Sequence, residues 1–508
     1  MDWMRLKSGS DIRGEAVAQP GAPAVLTPEV ARAVGGAFVA WLARRLDVPP
    51  QTLSVAIGRD SRVSGPALLA AAAQGMRMAG ARVFDCGLCT TPAMFMTTVT
   101  APHCQGAVMV TASHHPWTRN GLKLFTAQGG LGGGDVAALL AAAPDFPREA
   151  APGKASESLN YLDTYAAMLA DVVRRGLGVA EDARPLTGLR VAVDAGNGAG
   201  GFYARMLASL GADTAGSQFL EPDGRFPNHI PNPEDDAAMA SVGEAVRRSG
   251  ADLGVIFDAD CDRAAIVDAQ GKAIHRNRLI ALTAAVLLAE RPGGTVVTDS
   301  VTSAGLARFI AARGGTHHRF KRGYRNVIDE AVRLNQAGTD CPLAMETSGH
   351  AALREHYFLD DGMYLVTRLL VAAMQRRAQG GALTDWIAAL QEPVEAVELR
   401  LQLTGADFAA DGQRAMDALL RAAQAWPDCR TAPDNREGVR LLFDLDGHAE
   451  AGWLLLRLSV HDPVLPINAE ADVPGGVRAM LARLADALAD CAGLDASPLA
   501  QVLAQRTP

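Results

Sequence analysis

Residues 189–211 read LRVAVDAGNGAGGFYARMLASLG, and this stretch decides the fold of the chain. A short strand rich in valine ends at Asp194, a turn of small residues follows, and an amphipathic helix ends before Gly211. The same order of strand, turn and helix occurs at 53–80 and again at 294–315. Strands that alternate with packed helices build α/β sheets. Three widely spaced copies therefore predict three similar α/β domains.

Each copy ends its strand in an aspartate and closes its helix with a glycine, the residue that most readily follows a helix in a left-handed conformation. The aspartates are Asp60, Asp194 and Asp299, and the glycines are Gly80, Gly211 and Gly314. After about residue 390 the pattern changes to strands such as VELRLQL and GWLLLRLSV. We predict α/β domains at 1–150, 156–275 and 276–390, and a smaller α+β domain at 391–508.

Composition narrows the class of protein. Of 508 residues, 49% are hydrophobic and 20% are charged, as in globular proteins, and the net charge of −8 argues against a nucleic-acid-binding protein. No apolar run reaches the ~18 residues of a membrane span, and the first residues lack the apolar core of a signal peptide. Seven cysteines without scaffold spacing indicate reduced thiols. We expect a cytoplasmic protein that does not bind membranes.

The segment VMVTASHHP places Ser113 directly after an apolar strand, at a position expected to be exposed. A serine hydroxyl is a weak nucleophile that needs a base, a metal or a charged neighbourhood, and His114, Arg119 and Lys123 follow it closely. A polar loop whose histidines only hydrogen-bond to backbone groups accounts for the same residues about as well as a nucleophilic serine does.

The segment LGVIFDADCDR places three carboxylates at alternate positions after a strand: Asp258, Asp260 and Asp262. Three such groups ionise together only beside a cation, and oxygen ligands suit Mg²⁺. Arg263 adds a fork for a phosphate or a carboxylate. A solvated acidic turn is the weaker alternative. An EF-hand fails because its sixth position is not glycine, and a phosphatase with an aspartate nucleophile, Asp258, matches only in part.

Three other motifs are weak when taken alone. Gly196, Gly198 and Gly201 fit a dinucleotide-binding pattern, but a tight strand-to-helix turn is the favoured interpretation. Glu346 and Ser348 in AMETSGH would share one face of an extended segment and could bind adjacent sugar hydroxyls, although taken alone a polar turn before a helix is the favoured interpretation. In RLSVHDP the alternating side chains could hold a phosphate monoester; they are Arg457, Ser459 and His461.

Taken together and in this order, the segments resemble the α-D-phosphohexomutase family, which includes phosphoglucomutases, phosphomannomutases and phosphoglucosamine mutases. TASHHP is similar to its phosphoserine loop, DADCDR to its metal loop, ETSGH to its sugar loop and RLSVHDP to its phosphate loop. SGSDIRG, GRDSRVSGP and RFPNHIPNPE are further similar segments, so the resemblance spans nearly the whole chain. It implies three similar α/β domains and a smaller α+β domain around a central cleft.

The resemblance implies that mannose or glucose 1-phosphate and 6-phosphate interconvert through a phosphoserine and a hexose 1,6-bisphosphate, with Mg²⁺ as cofactor. It implies a small phosphosugar as the binding partner, without nucleic acid, and a monomer or homodimer. The catalytic residues would be Ser113, His114, Lys123, Arg263 and Arg13, with Lys123 or His114 moving the proton. The metal ligands would be Ser113, Asp258, Asp260 and Asp262. The substrate-binding residues would be Glu346, Ser348, Tyr324, Arg457, Ser459 and His461.

Some positions depart from the family pattern. His115 stands where Asn is common, Tyr324 where many bacterial members have His, and His461 where Thr is usual. The lysine that many members carry after the third-domain strand is missing from TDSVTSAG. These departures leave open the sugar preference and the groups that transfer protons. A phosphoglucosamine mutase and a non-catalytic protein that binds sugar phosphates therefore remain alternatives.

Overall fold

The computed structural model describes residues 2–147, 154–459 and 462–504. The chain forms two compact units, of which one contains residues 1–279 and 348–385 and the other contains residues 280–347 and 386–508. Both units mix helices with sheets, in agreement with the α/β class predicted from the sequence. The boundaries predicted between four domains remain predictions.

The first unit begins with a sheet whose central strands are parallel. Its strands are β1 (Lys7–Ser8), β2 (Asp11–Glu15), β3 (Ser54–Arg59), β4 (Arg82–Leu88), β5 (Gly106–Val110), β6 (Arg119–Thr126), β7 (Gly129–Gly130) and β8 (Glu157–Ser158). The helices between them are α1 (Pro28–Leu46), α2 (Gly65–Met78), α3 (Thr91–Val99) and α4 (Gly133–Ala142). The strand order is β1-β2-β6-β5-β3-β4-β8, and β7 pairs with β6. Strand β3 is parallel to β4 and β5, while β5 and β6 form an antiparallel pair.

A second sheet follows in the same unit. Its strands are β9 (Val191–Asp194), β10 (Leu253–Phe257), β11 (Ala264–Asp268) and β12 (Ala273–Ile274), in the order β12-β11-β10-β9. Its helices are α5 (Tyr161–Gly176), α6 (Phe202–Ser209) and α7 (Asp236–Ser249). Because β10 and β11 pair antiparallel, with Phe257 opposite Ala264, the six residues between them form a hairpin turn. That turn carries the acidic motif DADCDR.

The third repeat of strand, turn and helix lies in the second unit. Its parallel strands are β13 (Thr295–Thr298), β14 (Thr316–Arg319) and β15 (Leu343–Met345), and its helices are α8 (Arg276–Glu290), α9 (Ala304–Ala312) and α10 (Tyr324–Gln336). Helix α8 begins four residues before the boundary of the unit. Strand β16 (Ala351–Leu353) and helix α11 (Gly362–Ala378) return the chain to the first unit.

The last part of the chain is an antiparallel sheet with helices, the α+β arrangement predicted for it. The strands are β17 (Glu395–Leu403), β18 (Cys429–Thr431), β19 (Val439–Leu445), β20 (His448–Leu456), β21 (Val464–Ala471) and β22 (Leu494–Asp495). The helices are α12 (Phe408–Ala423), α13 (Gly476–Leu488) and α14 (Ser497–Ala504). The strand order is β18-β19-β20-β21-β17-β22. Side chains from both the sheet and the helices, such as Leu441, Ile467, Leu419 and Leu484, form its core.

The glycine-rich turn after β9 is confirmed as a tight turn with a packing role. A Cβ on Gly198 would lie 2.6 Å from the carbonyl oxygen of Ala259, and one on Gly201 would overlap the carbonyl of Leu220. The amide of Ala199 also donates to the carbonyl of Ala259 at 2.9 Å. Ala259 lies between two aspartates of the acidic motif. Because these glycines have no side chain, the turn can pack closely against the backbone of that motif.

Other local predictions are also confirmed. The three helix-closing glycines have positive φ, between 74° and 106°. Cys86 and Cys89 are free and buried. Within the described residues, no helix combines the length and the apolar character that crossing a membrane requires.

Candidate active site

Ser113 lies in a strained and buried turn. It follows β5 by three residues, its φ is +52°, and only 1% of its surface is exposed, so the expectation of an exposed serine is wrong. A positive φ is unfavourable for a residue with a Cβ and persists only where the surroundings enforce it. Its amide donates to the Thr111 hydroxyl at 2.9 Å, and that hydroxyl donates to Asp60 at 2.7 Å. The strand-ending aspartate of the first repeat therefore holds the serine turn.

Arg62 is the second group that enforces this turn. Its guanidinium is fully buried, pairs with Asp60 at 3.1 Å, and donates to the carbonyls of Ser113 and His115, the latter at 2.7 Å. It also donates to the carbonyls of Pro116 and Arg119, at 2.8 and 3.0 Å. Sequence reasoning missed this role, although Arg62 lies in the segment GRDSRVSGP. Its signal was an Asp-x-Arg pair directly after a strand.

The hydroxyl of Ser113 points toward the acidic motif. It donates to Oδ2 of Asp258 at 2.8 Å and lies 3.2 Å from Nδ1 of His114. Asp258, Asp260 and Asp262 each offer an oxygen within 4.8 Å of the others, and all three side chains are buried. Oδ1 of Asp260 and Oδ1 of Asp262 have no hydrogen-bond partner among the described residues. Buried carboxylate oxygens left without donors, together with hard oxygen ligands, fit a divalent cation such as Mg²⁺.

Lys123 is the cation nearest to this cluster. Its ammonium donates to Oδ2 of Asp260 at 2.8 Å and to Oδ2 of Asp262. Burial by itself would lower the pKa of Lys123, but the two carboxylates raise that pKa well above its usual value. Burial, with the charges of Asp262 and Asp260, raises the pKa of Asp258 well above its usual value. The site therefore keeps Lys123 charged and favours a proton on Asp258 when no metal is bound.

Arg263 contacts the cluster, and the charge of Arg13 acts on the pKa values of Lys123 and Arg263. The Nε of Arg263 lies 3.9 Å from Asp258, and its Nη1 lies 3.6 Å from Glu234, which belongs to the segment RFPNHIPNPE. Arg13 in β2 pairs with Asp11 at 2.7 Å. The pKa of His114 is lowered, mainly by burial and then by the charge of Arg263. His114 is therefore a neutral imidazole beside the serine hydroxyl.

His350 is a site residue that sequence reasoning did not single out, although ETSGH contains it. Its Nδ1 lies 2.5 Å from Oδ2 of Asp360 and 4.0 Å from Oδ1 of Asp262. Its backbone pairs with that of Arg263. Asp360 in turn accepts the amide hydrogen of Ala351 at 3.1 Å. This imidazole is held next to the acidic turn because β16 and the start of α11 pack against the end of that turn.

Two of the residues predicted to bind the sugar, Glu346 and Tyr324, lie in the second unit. Glu346 is buried and accepts the amide hydrogen of Gly323 at 2.6 Å, while Tyr324 begins α10. Ser348 is also buried but belongs to the first unit. The prediction that Glu346 and Ser348 share one face of an extended segment is wrong, because β15 ends at Met345 and a turn follows. The backbone leaves the strand here through the turn residues Thr347 and Ser348, and Gly349 follows with a φ of +94°.

The predicted phosphate loop lies beyond β20. Arg457 and Ser459 continue the pairing of that hairpin, since their amides donate to the carbonyls of Pro466 at 3.2 Å and Val464 at 3.0 Å. Both side chains are partly buried. Burial, followed by the charge of Arg322, lowers the pKa of Arg457, and Glu437 acts in the opposite direction. His461, predicted to complete this loop, lies outside the described residues.

Protein-family models and known relatives both match most of this chain. Residues 4–143, 143–271 and 275–393 match family models for the phosphoglucomutase/phosphomannomutase α/β/α domains I, II and III. The chain is 31% identical over 421 residues to a phosphomannomutase/phosphoglucomutase of Pseudomonas syringae pv. tomato, covering 82% of this chain and 83% of the relative. It is 30% identical over 455 residues to a phosphoglucomutase of Neisseria gonorrhoeae, covering 89% and 91%.

Among solved structures, a phosphoglucomutase/phosphomannomutase family protein from Burkholderia thailandensis has a similar fold. The TM-score is 0.77 at 27% identity, covering 95% of this chain and 96% of the other.

Proposed function

Since the chain belongs to the phosphoglucomutase/phosphomannomutase family, we propose that it interconverts hexose 1-phosphate and hexose 6-phosphate, with glucose or mannose as the sugar, through a phosphoserine at Ser113. The contact of the Ser113 hydroxyl with Asp258, 2.8 Å away inside a buried acidic cluster, carries this proposal. A serine hydroxyl is activated as a nucleophile by an adjacent proton acceptor or a metal, and this carboxylate lies next to the Ser113 hydroxyl in a proposed metal site. The phosphoryl would leave Ser113 for one sugar hydroxyl and return from the other end of a hexose 1,6-bisphosphate.

We propose that Asp258, Asp260 and Asp262 hold Mg²⁺ together with an oxygen on Ser113. The two carboxylate oxygens without hydrogen-bond partners support this assignment. When bound, the ion supplies positive charge at the phosphoryl oxygens. Lys123 and Arg263 add the protein's own positive charge around the same group, and so does Arg13 in β2. In-line phosphoryl transfer depends mainly on such positioning and charge stabilisation.

Proton transfer would use the groups that surround Ser113. Lys123 stays protonated between two carboxylates, so it supplies hydrogen bonds and positive charge, but its raised pKa makes it a weak acid that does not readily give up its proton. His114 is neutral and lies 3.2 Å from the serine hydroxyl, so its imidazole can hydrogen-bond to that hydroxyl, but its lowered pKa makes it a weak base. His350, backed by Asp360 at 2.5 Å, is a further imidazole at the edge of the acidic turn. A carboxylate on one ring nitrogen fixes the imidazole and leaves the other nitrogen to exchange a proton.

We further propose that Glu346 and Ser348 bind the sugar hydroxyls, with Tyr324 near them, and that Arg457, Ser459 and His461 hold the phosphate that does not react. The buried carboxylate of Glu346, fixed by the Gly323 amide, supports the first assignment. The partly buried guanidinium of Arg457 supports the second, because burial strengthens a charge-assisted hydrogen bond to phosphate.

Turnover of a panel of hexose 1-phosphates tests the proposal. Purified protein is incubated with Mg²⁺ and a trace of hexose 1,6-bisphosphate, and 6-phosphate formation is followed by phosphorus NMR. We expect at least one sugar to isomerise without release of free phosphate. Ser113→Ala should abolish turnover and remove the phosphate from the intact mass. Ser64→Ala is the matched control, because the Ser64 hydroxyl accepts from Asn120 at 2.9 Å and contacts none of the three aspartates. Full activity in Ser113→Ala would contradict the proposal, and so would free phosphate as the main product.

A further inference from the structure

Within the second unit, a buried arginine of the C-terminal sheet holds the loop that follows β13. Arg440 in β19 donates to the carbonyl of Ser300 at 2.5 Å and to that of Thr302 at 3.2 Å. Its guanidinium is 2% exposed and stacks on the Trp453 ring at 3.8 Å. The geometry of this loop therefore depends on a sheet that lies more than a hundred residues further along the chain.

Glu437, three residues before Arg440, binds the same loop through its side chain. The Ser300 hydroxyl donates to Oε1 of Glu437, and the backbone amide of Arg322 donates to the same oxygen at 3.0 Å. Ser300 lies in the loop after β13, and Arg322 lies in the loop before α10. One carboxylate oxygen therefore fixes two separate loops of the third repeat.

Those two loops adjoin the residues proposed to read the sugar. The residue after Arg322, Gly323, donates its amide hydrogen to Glu346 at 2.6 Å. The residue before Ser300, Asp299, accepts a hydrogen bond from the Thr347 hydroxyl at 2.8 Å, next to Glu346 in the chain. A shift of either loop would therefore move the carboxylate of Glu346 or the turn that carries it.

Glu437 is equally close to the proposed phosphate loop. The next residue, Gly438, has φ of +58°, and a Cβ there would lie 2.8 Å from the Cα of Arg457. The negative charge of Glu437 acts on Arg457 and opposes the lowering of its pKa by Arg322. The residue thus lies where the sugar-reading loops and the phosphate-binding strand meet.

We propose that Glu437 is a positioning residue that holds the two loops next to Glu346 and the phosphate-binding Arg457 in their binding positions before substrate binds. The inference rests on the proposed function and deepens it. A charged acceptor shared by a hydroxyl and an amide holds both donors more firmly than a neutral one. Without it, the two loops must be ordered by the substrate itself, and the cost of that ordering reduces affinity.

The test compares Glu437→Ala and Glu437→Gln with the wild-type enzyme. We expect Glu437→Ala to raise KM for the preferred hexose 1-phosphate about tenfold, with kcat within about twofold, because it removes a hydrogen-bonded charge. Glu437→Gln keeps an oxygen acceptor at the same reach and should show a smaller rise. The phosphate content of Ser113, measured by intact mass, should not change, because the Ser113 turn is held by Asp60 and Arg62, which the substitution leaves intact.

Asp472→Asn is the matched control. It removes the 2.7 Å ion pair with Arg308. That ion pair also joins the C-terminal sheet to the third repeat, but it involves neither Ser300 nor Arg322. It should leave KM unchanged. A wild-type KM in Glu437→Ala would overturn the proposal, and so would an equal rise in all three variants. If Glu437→Ala does not fold, Glu437→Gln decides alone, and a KM unchanged from wild type overturns the proposal.

Calorimetric titration with the same hexose 1-phosphate separates this proposal from the proposed function. If the wild-type protein binds the sugar phosphate but does not isomerise it, the mutase proposal fails. The Kd of Glu437→Ala then decides the positioning role, with about tenfold weaker binding as the expected result and an unchanged Kd as the refuting one.

Discussion

Replacing Lys123 with methionine is the sharpest test of how the acidic cluster is balanced. The lysine is buried and pairs with Asp260 at 2.8 Å and also with Asp262, while two carboxylate oxygens of the cluster have no hydrogen-bond partner among the described residues. Methionine fills similar space without charge. The metal-free variant would then hold three buried carboxylates with Arg263 as the nearest remaining cation.

The expected loss is large in the absence of metal. Removing one partner of a buried ion pair costs about 3–5 kcal/mol of unfolding free energy, because a charge is left uncompensated. Protonation of one aspartate limits that loss, so we expect about 3 kcal/mol for the first unit. A divalent cation restores the missing positive charge. With saturating Mg²⁺ the variant should therefore come within about 1 kcal/mol of the wild type, which corresponds to roughly thirtyfold tighter Mg²⁺ binding.

Urea unfolding in EDTA and in a series of Mg²⁺ concentrations measures both quantities. Lys7→Met is the control, because Lys7 is exposed in β1. It should show the wild-type dependence on Mg²⁺. If Mg²⁺ stabilises Lys123→Met no more than it stabilises the wild type, Lys123 does not balance the metal site and the electrostatic reasoning fails.

Two further predictions concern other buried charges. Arg62→Lys should lower kcat about 100-fold with little change in KM, because an ammonium cannot serve the four carbonyls that the guanidinium binds and the Ser113 turn would shift; steady-state kinetics checks this, and an unchanged kcat would refute it. Burial raises the pKa of Glu470 from 4.5 to about 7, although its bond from the Trp453 indole and the charge of Arg440 act against the rise. Because the pKa of Glu470 is raised in the folded protein, its contribution to stability is fully present below the unfolded pKa of 4.5 and is lost as the pH rises toward 7. The second unit should therefore lose about 3 kcal/mol of unfolding free energy over that pH window. Urea unfolding of Glu470→Gln at pH 5 and pH 7.5 should show that this part of the pH dependence has disappeared, and a slope equal to that of the wild type would contradict it.

Much of the fold could be predicted from the sequence because its signals are local. A strand, a turn of small residues and a helix are encoded within about 25 residues, so each of the three repeats was visible on its own. The acidic motif was equally visible, since Asp258, Asp260 and Asp262 lie within five residues at the tip of one hairpin. Local signals failed at the turn after Met345, where the backbone leaves the strand and the Glu346 side chain accepts the amide hydrogen of the distant Gly323.

The sequence by itself determined the type of elements and the acidic motif, because each depends on neighbouring residues. Tertiary structure alone decided what surrounds them. Lys123 reaches Asp260 across 137 residues, and Arg62 reaches the carbonyl of Ser113 across 51. The order of strands in a sheet decides which distant residues meet, and no periodicity in the chain encodes that order. Burial of these contacts then shifted the pKa values of the groups involved, because removing a charge from water is unfavourable unless a partner inside the fold compensates for it.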